Sequence, residues 1–296
     1  MLADLHCHTR LSDGSLGIEE IIILAEKKGL QTIAITDHDC LVGTVRGKVI
    51  GQRHGVQVIP GVEFSSTYED ANINLHILCY MPDYPNMLEG LCKRNSLARK
   101  RASHIMMLQT AKRFPIATDF IIKCATGSSN LYKKHIMQAL IECGYADSFN
   151  GDLFEELFTK ESENNILQVP KYESTKDVIA AIHEAGGIAI LAHPYLTNCV
   201  DLIPELAKLG IDGVEVVHPS ASAEQQEELR KIASKIKLII TGGSDFHGLY
   251  NEYPVSIGDY GIQEDELHIL KTYKSKLKRL QKKAEKAAAL ASAAEE

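Results

Sequence analysis

Residues 32–39 read Thr-Ile-Ala-Ile-Thr-Asp-His-Asp, an apolar, β-branched run that ends in charged and imidazole side chains. Branched side chains pack well on a pleated surface, so the run predicts a buried β-strand. The polar residues come directly after the apolar ones. They therefore fall at the carboxyl end of this strand.

The residues around this strand alternate between short strands and amphipathic helices. Residues 3–5 predict the end of a strand, and residues 18–28 predict a helix that Gly29 stops. A helix over 41–54 follows the quoted run, and further strands are predicted at 56–60 and 73–80. Alternation of this kind predicts parallel pairing with helical crossovers.

The middle of the chain, residues 82–170, has a different sequence pattern. Strand-like runs give way to helical patterns, with helices predicted over 88–113, 119–126, 131–143 and 151–160. We interpret this segment as a mainly helical insertion that caps the substrate. The alternation of strands and helices then resumes, with strands predicted at 187–192, 213–217 and 237–241. About seven strands predict an α/β barrel of the TIM type, one unit short.

These patterns divide the chain into three parts. Residues 1–81 and 171–265 form the predicted barrel, residues 82–170 form the insertion, and residues 266–296 form a helix rich in lysine and alanine. Apolar residues recur along that last helix with alternating spacings of three and four: Leu270, Tyr273, Leu277, Leu280, Ala284 and Ala287. The spacing suits either a coiled-coil seam or an amphipathic helix packed on the barrel.

The composition is that of a soluble globular protein. Of the 296 residues, 45% are hydrophobic and 24% are charged, and the N-terminus lacks the basic-then-apolar pattern of a signal peptide. The seven cysteines are scattered, which favours reduced thiols in the cytoplasm and argues against a disulfide framework. We expect no membrane partner. The net charge of −7 does not support general nucleic-acid binding, although a local basic patch is compatible with it.

Imidazoles and carboxylates stand at the ends of successive predicted strands. The carboxyl ends of parallel strands open onto one face of a barrel, so we expect these side chains to converge. Such a set is stable when it binds divalent cations, because neutral imidazole and carboxylate are ordinary metal ligands. Each residue alone is a weak signal, but the joint pattern predicts a metal cluster. The set comprises His6, His8, Asp13, His38, Glu63, His76, His193, Asp245 and His247.

Five short motifs contain most of these residues: Asp4-Leu5-His6-Cys7-His8, Thr36-Asp37-His38-Asp39, Gly61-Val62-Glu63-Phe64-Ser65, Ala192-His193-Pro194 and Gly243-Ser244-Asp245-Phe246-His247. They resemble the motifs of a known family, the polymerase and histidinol phosphatase (PHP) superfamily. The resemblance spans residues 1–80 and 175–260, and it is greatest to stand-alone phosphoesterases with a helical insertion. Those enzymes include ones that act on AMP or on nucleoside 3′,5′-bisphosphates.

The resemblance implies a distorted (β/α)7 barrel with a trinuclear site. The three divalent ions would be Mn²⁺, with Fe²⁺ and Zn²⁺ also compatible. A hydroxide bridging two of the ions would attack a phosphomonoester, and Asp13, Asp245 and His247 are the implied catalytic residues. The first ion would be held by His6, His8, Glu63 and Asp245, the second by Asp13, His38 and His247, and the third by Glu63, His76 and His193.

Five other residues are candidates for substrate contact. Residues 93–113 contain seven basic residues and no acidic ones, and Arg94 and Arg101 share a helix face within them. We expect these two arginines either to bind phosphate or to lie on a solvent-exposed helix face. Lys133 stands in a segment where the family usually has an arginine. His135 contacts substrate or has a structural role, and His218 contacts substrate or supports a ligand.

Two residues beside His38 have supporting roles in this interpretation. Asp37 is expected to accept a hydrogen bond from the His38 ring and so fix its orientation. Asp39 is expected to stabilise local structure. Cys7 lies between the two N-terminal histidines and is expected to point into the core.

Three other functions compete with a phosphatase acting on a small nucleotide. A 5′→3′ exoribonuclease of the same superfamily would use the basic stretch 93–113 to bind short RNA. An amidohydrolase also begins with His-x-His, but its pattern ends in a single aspartate and lacks the final Asp-x-His. A non-catalytic interaction module would not need the complete set of ligands.

Overall fold

The computed structural model describes residues 2–295, and from residue 280 onward it describes the backbone alone. Hydrogen bonds from Leu5 N to Gly242 O (3.2 Å) and from His8 N to Phe246 O (2.9 Å) bring the two edges of the sheet together. The sheet is thus nearly closed, and the predicted α/β barrel is confirmed. Its seven strands, in spatial order, are β1 (Ala3–Asp4), β2 (Thr32–Ile35), β3 (Gln57–Tyr68), β4 (Ile73–Tyr80), β5 (Ile188–Leu191), β6 (Gly213–Val217) and β7 (Ile239–Gly242).

Helices cover the barrel and build the segment between β4 and β5. No helix within residues 2–295 has the length and apolarity needed to cross a bilayer. The α-helices are α1 (Ile18–Lys27), α2 (Val42–Arg53), α3 (Glu89–Arg113), α4 (Thr118–Cys124), α5 (Lys133–Glu142), α6 (Asp152–Phe158), α7 (Thr175–Glu184), α8 (Ile203–Leu209), α9 (Ala223–Ile236) and α10 (Glu264–Glu295).

Strand β4 departs from the expected parallel pairing. It runs antiparallel to both of its neighbours, β3 and β5, whereas the other neighbouring strands are parallel. Strand β3 continues to Tyr68, so only residues 69–72 connect it to β4. A parallel crossover needs about a dozen residues. The prediction of parallel strands throughout is therefore wrong at β4.

One side of the barrel interior is filled by apolar residues. Buried side chains from successive strands, including Leu5, Ala34, Leu78 and Ile190, form a cluster that Leu270 of α10 joins. Burying a side chain such as Leu270 contributes about 2 kcal/mol. Helix α10 thus closes the apolar side of the barrel, and the polar residues gather at the opposite end.

The start of α10 packs on the barrel, as in the second of the two alternatives for the C-terminal helix. Leu270 is fully buried against the barrel, and the Tyr273 hydroxyl donates to Asp212 Oδ1 (3.0 Å). Lys274 Nζ donates to the carbonyl of Met81 (2.7 Å). The side chains of Leu280, Ala284 and Ala287 lie outside the described residues, so the coiled-coil alternative for that part stays a prediction.

Helices α3 to α6 form the helical segment predicted between β4 and β5. It has its own apolar cluster, which includes Met106, Ile121 and Leu157. Two residues of α3, the buried Asn95 and the partly buried Arg99, attach it to the barrel: Asn95 Nδ2 donates to Asp39 Oδ1 (2.7 Å), and Arg99 Nη2 donates to Asp39 Oδ2 (2.9 Å). Asp39 therefore does more than stabilise local structure: it lies next to His38 and attaches the insertion to that part of the barrel.

Candidate metal centre

The nine predicted metal ligands meet at the polar end of the barrel. Their nitrogen and oxygen atoms form four overlapping groups, and within each group the atoms lie within 4.8 Å of one another. The groups are His8, Asp13, His38 and His247; His6, Glu63 and His193; His6, His8 and Asp245; and His38, Glu63 and His76.

Glu63 is at the centre of the cluster. Its Oε1 lies 3.0 Å from His76 Nδ1 and 3.0 Å from His193 Nε2. Its Oε2 lies 3.0 Å from His38 Nδ1 and 3.3 Å from His8 Nε2. The side chain is 1% exposed. One carboxylate therefore touches imidazoles from several strands.

Two aspartates complete the cluster on either side of His8. Asp245 Oδ1 lies 3.2 Å from His8 Nε2 and 3.4 Å from His6 Nε2. Asp13 Oδ1 lies 3.4 Å from His247 Nε2, and its Oδ2 lies 3.6 Å from His38 Nε2. The three carboxylates are thus spread through the histidine cluster.

The local backbone explains how these side chains converge. His6 and His8 point to the same side because residues alternate along an extended chain, and Cys7 points into the core as expected. A Cβ added at Gly243 would lie 2.4 Å from His6 N, so glycine allows this close approach. His193 (φ 26°) and Asp245 (φ 50°) adopt left-handed conformations, a strain that is common at functional sites.

The charges in the cluster favour ionised carboxylates. Burial acts to raise the pKa of Glu63, but the imidazoles of His38 and His76 outweigh it and hold the pKa well below its usual range. The same opposition holds the pKa values of Asp13 and Asp245 well below their usual range. Burial lowers the pKa of His38 to about 4, whereas Asp245 and Glu63 outweigh the effect of burial on His8 and raise its pKa to about 10. Ionised carboxylates and a neutral imidazole are the forms that bind metals.

The donor set fits divalent metal ions. Several buried atoms in the described residues have no hydrogen-bond partner, and five of them belong to predicted ligands: His6 Nε2, His8 Nε2, Asp13 Oδ1, His38 Nδ1 and His193 Nδ1. Leaving buried polar atoms unpaired is costly. Ligand atoms within 4.8 Å of one another can surround an ion, because metal–ligand distances are about 2.0–2.3 Å.

Comparison with known proteins identifies the family. The model of the PHP domain matches residues 4–185, which is more than half of the chain. This chain belongs to the PHP family. The phosphoribosyl 1,2-cyclic phosphate 1,2-diphosphodiesterase of Eggerthella lenta is 30% identical over 259 residues, covering 86% of this chain and 97% of the relative.

Other PHP relatives align over a similar share of the chain. The 5′-3′ exoribonuclease Rnm of Escherichia coli is 29% identical over 254 residues, covering 83% of this chain and 85% of the relative. The 3′,5′-nucleoside bisphosphate phosphatase of Chromobacterium violaceum is 26% identical over 249 residues, covering 82% and 86%. A solved structure from Bifidobacterium adolescentis, named for an expected metal-dependent phosphoesterase activity, superposes with a TM-score of 0.83 at 28% identity, covering 92% and 96%. The PHP chain is therefore a metal-dependent phosphoesterase.

Two of the predicted substrate contacts are not brought to the PHP centre. Arg94 is exposed, and its Nε donates to Glu173 Oε1 (2.8 Å), while Arg101 lies on the solvent side of α3. The residue of α3 that turns inward is Arg99, whose guanidinium lies 4.8 Å from the Tyr132 ring centroid. The two predicted arginines do share a helix face, but that face points to solvent.

The start of α5 brings a different lysine to the PHP centre from the one expected. Lys134 lines the metal cleft, whereas Lys133 lines the wider cleft beside it, 6.0 Å from the Phe158 ring centroid. His135 is 2% exposed and its Nδ1 accepts from the Tyr132 N–H (3.1 Å). Burial lowers the pKa of His135 to about 4. Of its two predicted roles, the structural one fits these contacts.

His218 contacts a predicted ligand. Its Nδ1 accepts from the Ser220 N–H (3.0 Å), so the proton resides on Nε2, which lies 3.4 Å from Asp245 Oδ2. Of the two roles considered for His218, support of a ligand agrees with this contact. The ring holds one oxygen of Asp245 while the other faces His6 and His8.

Three buried carboxylates behind the ligands were missed or misplaced by sequence reasoning. Asp37 does not hold the His38 ring: it accepts from Thr9 N (2.7 Å) and from Ser12 Oγ (2.7 Å), and so fixes the loop that carries Asp13. Asp4 accepts from Ser244 N (2.9 Å). Glu215 contacts the ring of His6. The sequence feature that could have identified Glu215 is a single carboxylate within the otherwise apolar β6.

The metal centre opens into two adjoining spaces. A narrow cleft of about 130 Å³ is lined by predicted ligands together with Lys134, Tyr250 and Tyr253. A wider cleft of about 620 Å³ lies between the barrel and the insertion and is lined by residues that include Arg99, Tyr132 and Tyr172. Both spaces are lined by Asp13, His76, Lys134, Leu196 and Glu252, which form the junction between them.

Proposed function

We propose that this PHP enzyme hydrolyses a phosphomonoester of a small nucleotide-like metabolite, AMP or a nucleoside 3′,5′-bisphosphate, at a trinuclear metal site. The nine predicted ligands would hold the ions, and the convergence of these residues on the Glu63 carboxylate is the observation that carries the proposal. The name of the Chromobacterium relative supports a bisphosphate substrate.

The two adjoining spaces support a terminal phosphate as the reacting group. The narrow cleft is of a size that suits a phosphoryl group beside the metal ligands. The wider cleft offers the rings of Tyr132, Tyr172 and Phe154 and the amines of Lys133 and Lys160. Aromatic rings stack on nucleobases and amines attract phosphate. A nucleotide would therefore place its phosphate at the metals and its base in the wider cleft.

The chain's own residues prepare the reaction. Divalent ions held by these ligands would supply Lewis acidity and would make water a better nucleophile near neutral pH. His218 orients Asp245 through its Nε2–H, and the His247 ring is fixed by Nδ1, which lies 2.7 Å from the carbonyl oxygen of Asp245. That contact directs His247 Nε2 toward Asp13. We assign Asp245 or His247 as the group that takes a proton from the attacking water and passes it to the leaving oxygen.

A 5′→3′ exoribonuclease is the second candidate function. The observation that favours it is the size of the wider cleft, which exceeds the needs of one nucleoside, together with its lysines. The Escherichia coli relative carries that name. A salt-sensitive preference for oligomers over mononucleotides would support this candidate.

A substrate screen with manganese-loaded protein tests the proposal. The panel contains AMP, a 3′,5′-bisphosphate, 4-nitrophenyl phosphate, a five-membered cyclic phosphodiester of ribose and a short 5′-phosphorylated RNA. We expect the highest kcat/KM with a mononucleotide that carries a terminal phosphate. Higher activity on RNA would favour the exoribonuclease, and higher activity on the cyclic diester would contradict a phosphomonoester substrate. The Glu63→Gln variant serves as the control for contaminating phosphatases.

Replacing Lys134 by methionine should weaken substrate binding more than turnover. Lys134 lies at the junction of the two spaces and is held by Asn150, and methionine keeps an unbranched side chain that is one atom shorter and has no charge. Loss of one cation facing a phosphate costs about 1.5–3 kcal/mol, which predicts a rise in KM of about 10- to 100-fold. Steady-state kinetics on the best substrate measure it.

The matched control is Lys112→Met on the exposed side of α3, which should leave KM unchanged. An unchanged KM in the Lys134 variant would contradict a role in substrate binding.

A further inference from the structure

Glu215 is a fully buried carboxylate in the middle of β6, and the preceding mechanism does not use it. Its Oε1 lies 3.0 Å from His6 Nδ1, and its Oε2 accepts from the backbone N–H of His193 (2.9 Å). The remaining residues of β6 are apolar or glycine. Burying a charge among apolar residues is costly unless every acceptor is used. The two contacts account for both oxygens.

The contact with His6 selects one form of the ring. An ionised carboxylate only accepts hydrogen bonds, so His6 Nδ1 carries the proton that it donates. The other ring nitrogen, Nε2, then has a free lone pair directed at the predicted metal site, 3.4 Å from Asp245 Oδ1. Partners of this kind fix both the tautomer and the orientation of metal-binding histidines.

The contact with His193 acts on the backbone. His193 adopts a left-handed conformation with φ 26°, which a residue with a side chain rarely adopts. Its N–H is held by Glu215, and its Nε2 lies 3.0 Å from Glu63 Oε1. One carboxylate therefore acts on two predicted ligands that follow different strands.

We propose that Glu215 is a positioning residue that sets the tautomer of His6 and the backbone of His193, and thereby the affinity of the centre for metal. This inference rests on the proposed function, because it takes His6 and His193 as ligands. It concerns metal binding and not the identity of the substrate.

Glutamine at this position gives a specific prediction. An amide has one acceptor oxygen, and the His193 N–H can only donate, so the oxygen would stay with His193. The amide NH₂ would then face His6 Nδ1, which must become an acceptor, and the ring proton would move to Nε2. A ring protonated on Nε2 cannot bind a metal through that atom. Glu215→Gln should therefore lower metal affinity by about 10- to 100-fold while preserving the fold.

Alanine at the same position separates positioning from simple loss of the carboxylate. Glu215→Ala leaves the His6 ring free to keep its proton on Nδ1, but it leaves a cavity and an unpaired N–H. We expect metal affinity to decrease in the order wild type, Ala, Gln, and thermal stability to decrease in the order wild type, Gln, Ala. A purely structural role would make glutamine the milder change in both measurements. Glu205→Gln, which alters a carboxylate that accepts from the Tyr68 hydroxyl (3.0 Å), is the control.

The experiment combines manganese titration, metal content after dialysis and ¹⁵N-histidine NMR of the zinc-loaded protein. We expect the glutamine variant to lose one hydrogen-bonded Nδ1–H signal and to retain less metal than the wild type. Wild-type affinity and an unchanged NMR spectrum in that variant would overturn the inference. If the alanine variant does not fold, the comparison of glutamine with wild type decides. Failure of the wild type itself to bind manganese would overturn the proposed function instead.

Discussion

Replacing Glu63 by glutamine should abolish phosphoester hydrolysis, with kcat at least about 10³-fold below that of the wild type. The carboxylate lies within 3.0 Å of imidazole nitrogens of His38, His76 and His193. An amide has the same size but is neutral, and its nitrogen faces a histidine as a donor. The variant should therefore lose both the charge that balances the ions and one of the two ligand oxygens. Metal analysis and steady-state kinetics on the same preparation measure the effect.

The fold of this variant provides the control. Glutamine fills the same space, so the circular dichroism spectrum should match that of the wild type. Glu205→Gln makes the same chemical change at a surface contact and should keep full activity. If the Glu63 variant keeps activity within tenfold of the wild type, Glu63 does not have the central role assigned to it.

Replacing Asp13 by alanine should remove activity and one equivalent of metal. Asp13 lies on the loop after β1, where its oxygens face His247 Nε2 (3.4 Å) and His38 Nε2 (3.6 Å). It contributes to one group of ligands, whereas Glu63 contributes to two. The remaining ions should therefore stay bound, and kcat should fall by about 10³-fold because one ion no longer assists the attack.

Metal stoichiometry distinguishes this variant from Glu63→Gln. The loss of a single equivalent with intact secondary structure is the expected outcome, and full turnover would refute the assignment of Asp13. Asp70→Ala, at an exposed position in the turn between β3 and β4, is the matched control and should behave as the wild type.

The convergence of the nine predicted ligands could be predicted from the sequence because the signal is local. An apolar run followed directly by histidine or aspartate marks a strand end, and strand ends of a barrel share a face. Glu63 and His76 illustrate the limit of this reasoning. Both lie within long strands of an antiparallel hairpin. Ser65 pairs with His76, and Glu63 lies two residues before Ser65 on the same face of β3, so the side chains of Glu63 and His76 share the inner face.

The basic side chains that line the clefts were harder to predict because they depend on which face of a helix points inward. Arg94 and Arg101 were chosen for their spacing, but Arg99 is the arginine on the buried face of α3. Lys133 was chosen because the family usually has an arginine in this segment, although Lys134 lines the metal cleft. Spacing along a helix shows which residues share a face, but it does not show what that face contacts. That information comes from packing between distant segments.

The apolar cluster beneath the metal ligands has a kinetic consequence. Because α10 and the cluster around Leu270 fill the barrel on one side, we expect ions and reactants to exchange through the clefts beside the insertion. If the substrate is the proposed nucleotide, its binding at the junction lined by Lys134 and Leu196 would obstruct that shared route. Occupancy by product should then retard the escape of the ions to a chelator, so that saturation protects the enzyme from demetallation.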